Sequence, residues 1–365
     1  MAAVIKRAYA QDSRPHSDRS TMPDLSSSAD RTLVSAVIPT RGRPELLACA
    51  VRSALRQTWR CLEVIVVLDG PDAATESYLA TAACHRVRTV ILPEPAGGCA
   101  ARNAGVRAAS GDWVAFLDDD DEWMPDKIAR QMRAVRESRA WFPVVTSRLI
   151  AQSRTASRVL PPSVYDGSQP VADYLFCRSG LTDPGGLMQT STLLASRDLL
   201  LAVPFRDGLR MHQDWDWIIR VTAYEGVGVV MVPKPLSVWR VEDTRSSVGR
   251  TPDWRFSLQW IRGIRRFISP RAFSSFIAMQ CVLRARKAHA GLPGRLSILR
   301  AFLFEGRPQL RSSLHFFVFS VVPEWLRTRL RDSLRAHRDP AESAGGLTLA
   351  FSRRPTPTPL RKTSF

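Results

Sequence analysis

The sequence predicts an α/β fold, an open and mostly parallel sheet with helices on both faces, completed by a mixed half and followed by a C-terminal helical extension. Three observations predict it. Short β-branched runs alternate with stretches of helical periodicity in the first third of the chain. Acidic residues close two of those runs, where open parallel sheets bind their ligands. From about residue 253 the pattern turns helical, aromatic and basic.

Each element follows from its residues. "LVSAVIP", Leu33 to Pro39, is a continuous apolar and β-branched run, fit for a strand buried on both faces. Pro44 then opens a helix, because proline at the first helical position gives up no hydrogen bond. Leu46, Leu47, Ala50, Val51, Ala54 and Leu55 form its apolar face. "EVIVVLDG", Glu63 to Gly70, is a second buried strand ending in Asp-Gly, and "VRTVILP" is a third. "AARNAGVRAAS" reads as a helix stopped by Gly111. "DWVAFLD" is a fourth strand, with Asp118 at its end as Asp69 is at the end of the second. Pro125 is expected to begin the helix "PDKIARQMRAV". Residues 141 to 245 are less regular, broken by Pro and Gly, and read as the mixed half that completes the sheet. The expected organisation is a disordered segment 1–32, a catalytic-type domain 33–245, a basic helical region 246–338 and a disordered tail 339–365.

Composition sets limits on function. The 365 residues carry a formal net charge of +18, which calls for an anionic partner or surface. No zinc-finger, RNP-like or helix-turn-helix signature accompanies that charge, so nucleic acid is not the expected partner. The six cysteines are scattered, without a C-x-x-C pair, which speaks against a zinc site or a disulfide framework. No apolar run approaches the ~20 residues that span a bilayer. The chain is expected to be cytoplasmic, at most peripheral at the inner face of a membrane.

"FLDDDDEWMP", Phe116 to Pro125, places five acids directly after a buried strand. Carboxylates this close repel one another unless a cation or hydrogen-bond donors compensate. Oxygen-only ligands favour Mg²⁺ or Mn²⁺, and Mg²⁺ takes one or two carboxylates and fills its shell with phosphates. An EF-hand fails, since counting from Asp118 puts Trp123 and Ala129 where Gly and Glu are required. The plainer reading is helix capping, which suits Asp121 and Glu122 but not four aspartates in a row. A metal-diphosphate site at a strand end remains, poorly ordered until metal and nucleotide arrive.

In order and spacing, "VSAVIPTRGRPELLACAVRSALRQTW", "EVIVVLDG", "GGCAARNAGVRAASGDWVAFLDDDDEWMPDKI", "QTSTLLASRDLL" and "HQDWDWIIRV" resemble the family 2 glycosyltransferases. The resemblance covers roughly residues 34 to 245. It implies the GT-A fold, a Rossmann-like nucleotide-binding half plus a mixed-sheet acceptor half, and inverting, nucleotide-sugar-dependent transfer. It implies roles position by position. Thr40, Glu45 and Asp69 would meet the nucleoside, and Arg102 would lie near the diphosphate. Asp118 and Asp120 match the D-x-D motif, with Asp120 the direct metal ligand and Asp119 touching ribose or donor sugar. Asp214 matches the catalytic base. His212 and Trp215 are acceptor-side candidates, Trp215 because an indole face suits the C–H side of a pyranose.

Plainer readings stand beside these. Asp69 could serve an Asp-Gly turn, and Arg102 could be a surface helix charge. Asp214 could cap the helix while Asp216 acts. The chain also departs from the family pattern. Leu68 replaces the first of two strand-end acids, Gln213 stands where Glu is common, and "VWRVEDTRSS" offers Glu242, Asp243 or Arg245 where relatives carry His. The implied partners are a nucleotide-diphosphate sugar, expected to be a UDP-sugar, a glycan or lipid-linked acceptor, and an anionic membrane surface for the basic stretch "SLHFFVFSVVPEWLRTRLR". The alternative function is a catalytically inactive nucleotide- or glycan-binding protein of the same fold. A nucleotidyltransferase would need a Gly-rich first loop, and "PTRGRPE" has a single Gly.

Overall fold

The structure is a computed structural model that describes residues 32–81, 86–180, 183, 185–241, 251–323, 325–326 and 329. The segments expected to be disordered therefore lie almost wholly outside the described residues, as do Glu242, Asp243 and Arg245. The chain divides into a unit from Met1 to Val321 and a second from Val322 to Phe365.

The four expected strands are present. β1 (Val34–Thr40), β2 (Leu62–Leu68), β3 (Val87–Ile91) and β4 (Trp113–Phe116) run parallel in the order β3-β2-β1-β4. Their apolar residues serve two cores, because successive side chains point to opposite faces. Val37, Ile65, Val67 and Phe116 enter one core, and Ala36, Ile38, Val64 and Val66 enter the other. α1 (Pro44–Leu55) covers the second face through Leu47, Ala50, Val51 and Ala54. α2 (Ala73–Thr81) has little apolar periodicity and buries only Thr75, which is why the sequence pattern does not reveal it. α3 (Gly98–Ala108) covers the first face. It lies so close to β1 that a Cβ on Gly105 would meet Val37 Cγ1 at 2.3 Å.

The mixed half reverses the sheet. It comprises β5 (Glu122–Trp123), β6 (Phe142–Gln152), β7 (Ser157–Leu160), β8 (Leu194–Ser196) and β9 (Val227–Arg240). β8 is antiparallel to both β4 and β6, β9 is parallel to β6 with a bulge around Arg148, and β5 pairs antiparallel with β9. Three helices punctuate this half after α4 (Lys127–Glu137): α5 (Val171–Phe176), α6 (Arg197–Ala202) and α7 (Gln213–Val221).

The C-terminal region is helical, as expected. α8 (Trp254–Gly263) is followed by α9 (Pro270–Phe276), which runs through a π-helical turn into α10 (Val282–Lys287). α11 (Leu292–Arg300) likewise enters a π-helical turn, Ala301–Glu305, before α12 (Leu310–Val321). Trp254, Trp260, Phe273 and Phe276 share one continuous core with Trp217 and Phe116, so these helices are part of the same packed unit as the sheet. Among the described residues no helix is long and apolar enough to cross a membrane.

Candidate functional site

Three strand ends define the site. Thr40 ends β1, Asp69 follows β2 and Asp118 follows β4 by two residues. The parallel pairing of these strands puts their carboxyl ends side by side, the position where open sheets bind ligands.

Asp69 is tied to the loop that enters α3. Its Oδ1 accepts the Ala96 and Gly97 N–H groups at 2.6 and 3.0 Å, and its Oδ2 accepts the Gly97 N–H at 3.1 Å. Gly70 beside it has φ +99 and lies against Pro95, a conformation and a clearance that favour glycine. The carboxylate thus anchors a turn and stands at a strand end at once.

The acid cluster is compensated by donors from the protein itself. Asp119 is buried; Thr40 Oγ1 donates to it at 2.7 Å and Arg43 Nη2 lies 2.7 Å from its other oxygen. Burial pushes its carboxyl up to about 6 against the pull of Arg43 and Thr40. Asp120 is more open and lies 3.4 Å from Arg43 Nη1. Arg102 Nη2 donates to Asp118 at 2.6 Å. Burial opposes the Arg102 charge, but Asp118 outweighs burial and holds the guanidinium above its ordinary range.

Asp121 and Glu122 do not cap the next helix, contrary to the capping expectation. Asp121 is buried and accepts Gln189 Nε2 and Ser191 Oγ, each at 2.6 Å. Burial, with Asp118 and Asp120 beside it, pushes its carboxyl well above the usual range. Glu122 lies in β5 and pairs with Arg240 of β9. The helix itself starts at Lys127, two residues later than expected, and Asp126 before it pairs with Arg130 and Lys234. Donors from β1, α3 and the segment before β8 compensate these carboxylates.

α7 supplies the opposite wall. Arg102 Nη1 donates to Gln213 Oε1 at 2.7 Å, linking the D-x-D loop to the first residue of α7. Asp214 follows, half-buried, its Oδ1 accepting the Trp215 N–H at 2.9 Å. Desolvation pushes its carboxyl up to about 6, while the Trp215 N–H and Arg102 oppose the rise. Asp216 has no such freedom. It is fully buried and binds Arg206, Arg220 at 2.7 Å and Trp260 Nε1 at 3.0 Å. Of the two aspartates, Asp214 is the one left open toward the site.

The remaining expected residues separate. Glu45 is exposed on the first turn of α1. Trp215 borders a cavity of about 140 Å³ with Phe176, Arg178, Trp239 and Phe276. His212 sits in the core instead: its Nε2 shares a hydrogen bond with Ser257 at 2.9 Å, and its ring packs on Trp215 and Trp260. Burial, with Arg284 nearby, pulls it down to about 3, which leaves a neutral, packed imidazole. Arg43, Gln189, Ser191 and Gln213 join the site without a sequence signal that singles out their partners, because their contacts with the aspartates and Arg102 are long-range.

The donor chemistry discriminates between metals. Asp118 and Asp120 offer carboxylate oxygens at a solvent-facing edge, with side-chain exposures of 26% and 29%. Among the described residues no group of three His, Cys, Asp or Glu makes a closed cage. Such a pair fits a hard cation that completes its shell from water and phosphate, and it does not fit zinc.

Comparison with known proteins agrees with this geometry. Residues 35–161 match the family model Glycosyl transferase family 2. The amylovoran biosynthesis glycosyltransferase AmsB of Erwinia amylovora is 25% identical over 283 residues, 75% of this chain and 91% of that protein. The UDP-Glc:alpha-D-GlcNAc-diphosphoundecaprenol beta-1,3-glucosyltransferase WfgD of Escherichia coli is 25% identical over 133 residues, 36% of this chain and 53% of that protein. Among solved structures, S. aureus TarS 1-349 in complex with UDP-GlcNAc matches with a TM-score of 0.56 and 14% identity, over 84% of this chain and 92% of that chain. That likeness is one of fold, with the same kind of mixed sheet and flanking helices. Residues 35–161 thus match glycosyl transferase family 2, and the chain is a glycosyltransferase of the GT-A fold.

Proposed function

We propose that the enzyme moves a sugar from a nucleotide-diphosphate sugar to an acceptor hydroxyl with inversion, in the synthesis of a bacterial polysaccharide. The observation that carries this reading is the Arg102 bridge. Arg102 joins Asp118 of the strand-end cluster to Gln213, the residue before Asp214, although Gln213 lies 111 positions away from Arg102 in the sequence. Two carboxylate groups with different surroundings thereby face one site, which is what an in-line displacement needs.

Asp214 is the proposed base. A carboxyl near 6 is mostly ionised at pH 7 yet basic enough to accept the acceptor proton as the new bond forms. Asp216 holds α7 in place through its arginines. On the donor side, Thr40, Asp69 and Asp119 are proposed to meet the nucleoside and sugar, with Glu45 at the rim. Arg102 and Arg43 keep the aspartates oriented and partly neutralised. Asp118 and Asp120, the latter as direct ligand, would hold Mg²⁺ or Mn²⁺, which supplies charge neutralisation for the departing diphosphate. Trp215 is proposed as an acceptor contact because it follows the base and borders the adjacent cavity. The packed His212 supports the helix junction.

The role of AmsB in amylovoran biosynthesis supports polysaccharide synthesis, and the activity of WfgD supports a UDP-sugar donor with a diphosphate-lipid acceptor. A nucleotide-sugar panel assayed with Mg²⁺ or Mn²⁺ tests the reading. Turnover is expected to require metal. Asp120→Ala and Asp214→Asn are each expected to lose 10²-fold or more of transfer. Full activity in both variants would overturn the assignment.

A further inference from the structure

The exposed large hydrophobic residues are not scattered evenly. Ile91, Trp141, Val159, Val164 and Leu201 stand apart along the chain, whereas nine others fall between residues 292 and 321. Their spacing is regular. Leu292, Leu296, Leu299 and Leu303 follow one another at helical intervals through α11 and its π-turn. Leu310, Leu314, Phe317 and Val321 do the same along α12. Each set makes one outward stripe.

These stripes are not needed for the core. The inner face of α12 is already occupied: Ser312 and His315 are buried, and Phe316 and Phe319 pack against the core. α11 packs inward through Ile298, and Ala301 and Phe302 follow. The outer residues remain open, with exposures from 36% at Leu299 to 87% at Leu310. The Phe302 and Phe316 rings stack 4.4 Å apart, so the helices meet one residue away from Leu303 and from Phe317.

Their surroundings are cationic. Arg295, Arg300, Arg307 and Arg311 are exposed among them, and the whole stretch 253–321 contains no acids except Asp253 and Glu305. Outward apolar stripes bordered by exposed arginines suit an interface that is apolar at its centre and anionic around it. We propose that α11 and α12 dock the enzyme on an anionic lipid bilayer, the leucines and Phe304 and Phe317 entering the headgroup boundary while the arginines meet lipid phosphates. The sequence pointed to the α12 stretch; the structure adds the α11 stripe. This inference stands independently of the transfer reaction, since it concerns a surface outside the site.

Flotation of the full-length protein with vesicles tests it. Vesicles of phosphatidylglycerol mixed with phosphatidylcholine are compared with phosphatidylcholine alone, at low and high salt. Binding is expected to the anionic vesicles and to weaken with salt. Leu314→Glu with Phe317→Glu is expected to reduce binding at least tenfold. Arg295→Gln with Arg311→Gln should reduce it roughly thirtyfold, from about fivefold for each charge. If the glutamate pair impairs folding, judged by thermal melting, the exposed arginine pair tests the same surface. Donor hydrolysis should be unchanged in either pair, which separates failure of docking from failure of the transferase reading. No binding at low salt would sink the proposal. So would wild-type binding by both variant pairs, or a stripe that instead mediates self-association in sedimentation without binding vesicles.

Discussion

The base assignment makes a pH prediction that can be worked from the site. Desolvation at α7 lifts the Asp214 carboxyl from 3.8 to about 6. At pH 7 roughly nine-tenths of such a group is ionised, and at pH 5 roughly one-tenth. With Asp214 as base, kcat/KM should therefore rise about tenfold between pH 5 and 7 and then level off. An ordinary aspartate would give almost no change over that range. The assay is initial-rate transfer across pH 5 to 8 at fixed metal. Asp119 also titrates at about 6, so the same profile must be measured in Asp119→Asn. The limb should persist there and vanish in Asp214→Asn, which should retain donor binding while losing transfer. A flat wild-type profile, or a limb that survives in Asp214→Asn, refutes the reasoning.

Three further predictions follow from packing and charge. Asp216→Ala leaves Arg206 and Arg220 facing an emptied buried site, so it should cost about 3–5 kcal/mol and lower Tm by roughly 10 °C. A normal Tm would show that the cluster is not structural. Gly105→Ala drives a methyl into Val37 and should destabilise by about 1–3 kcal/mol in denaturant titration; an unchanged midpoint would contradict the close approach of α3 to β1. Asp119 has a folded-state carboxyl raised above its ordinary 3.8, so the stability it contributes is full below pH 3.8 and is lost as pH rises through about 6. The Tm of Asp119→Asn relative to wild type should therefore increase between pH 4 and 7, and a constant difference would count against the burial argument.

β1 and β2 were legible because both of their faces are buried. "LVSAVIP" and "EVIVVLDG" leave no polar face to confuse with a helix, and each appears as a parallel strand. α2 was not legible, since its only fully buried residue is Thr75 and only Tyr78 and Leu79 besides pack on the core, too few for an apolar stripe. The mixed half was read only in outline. β9 is long but takes its meaning from a bulged parallel pairing with β6, and such a pairing has no local signature.

The site shows the same division. The acids at strand ends could be named from residue type and position, and Asp214 from its place in a motif that resembles the family's. What each carboxylate does depends on its neighbours. The four adjacent aspartates look equivalent in "FLDDDDEW", yet one meets Arg102, one meets Thr40 and Arg43, one faces solvent beside Arg43, and one is buried against Gln189 and Ser191. Asp214 and Asp216 are two residues apart on one short helix and could not be ranked by pattern. Burial and three donors commit Asp216 to the fold, while a half-open setting leaves Asp214 to the site. The sequence by itself determined the parallel half-sheet and the run of acids at its strand ends, since these rest on local periodicity and residue type, while the glycosyltransferase reading rests on the resemblance of its ordered motifs to a known family. Tertiary structure alone decided which carboxylate is charged, paired or open, because that depends on donors and desolvation contributed by distant segments.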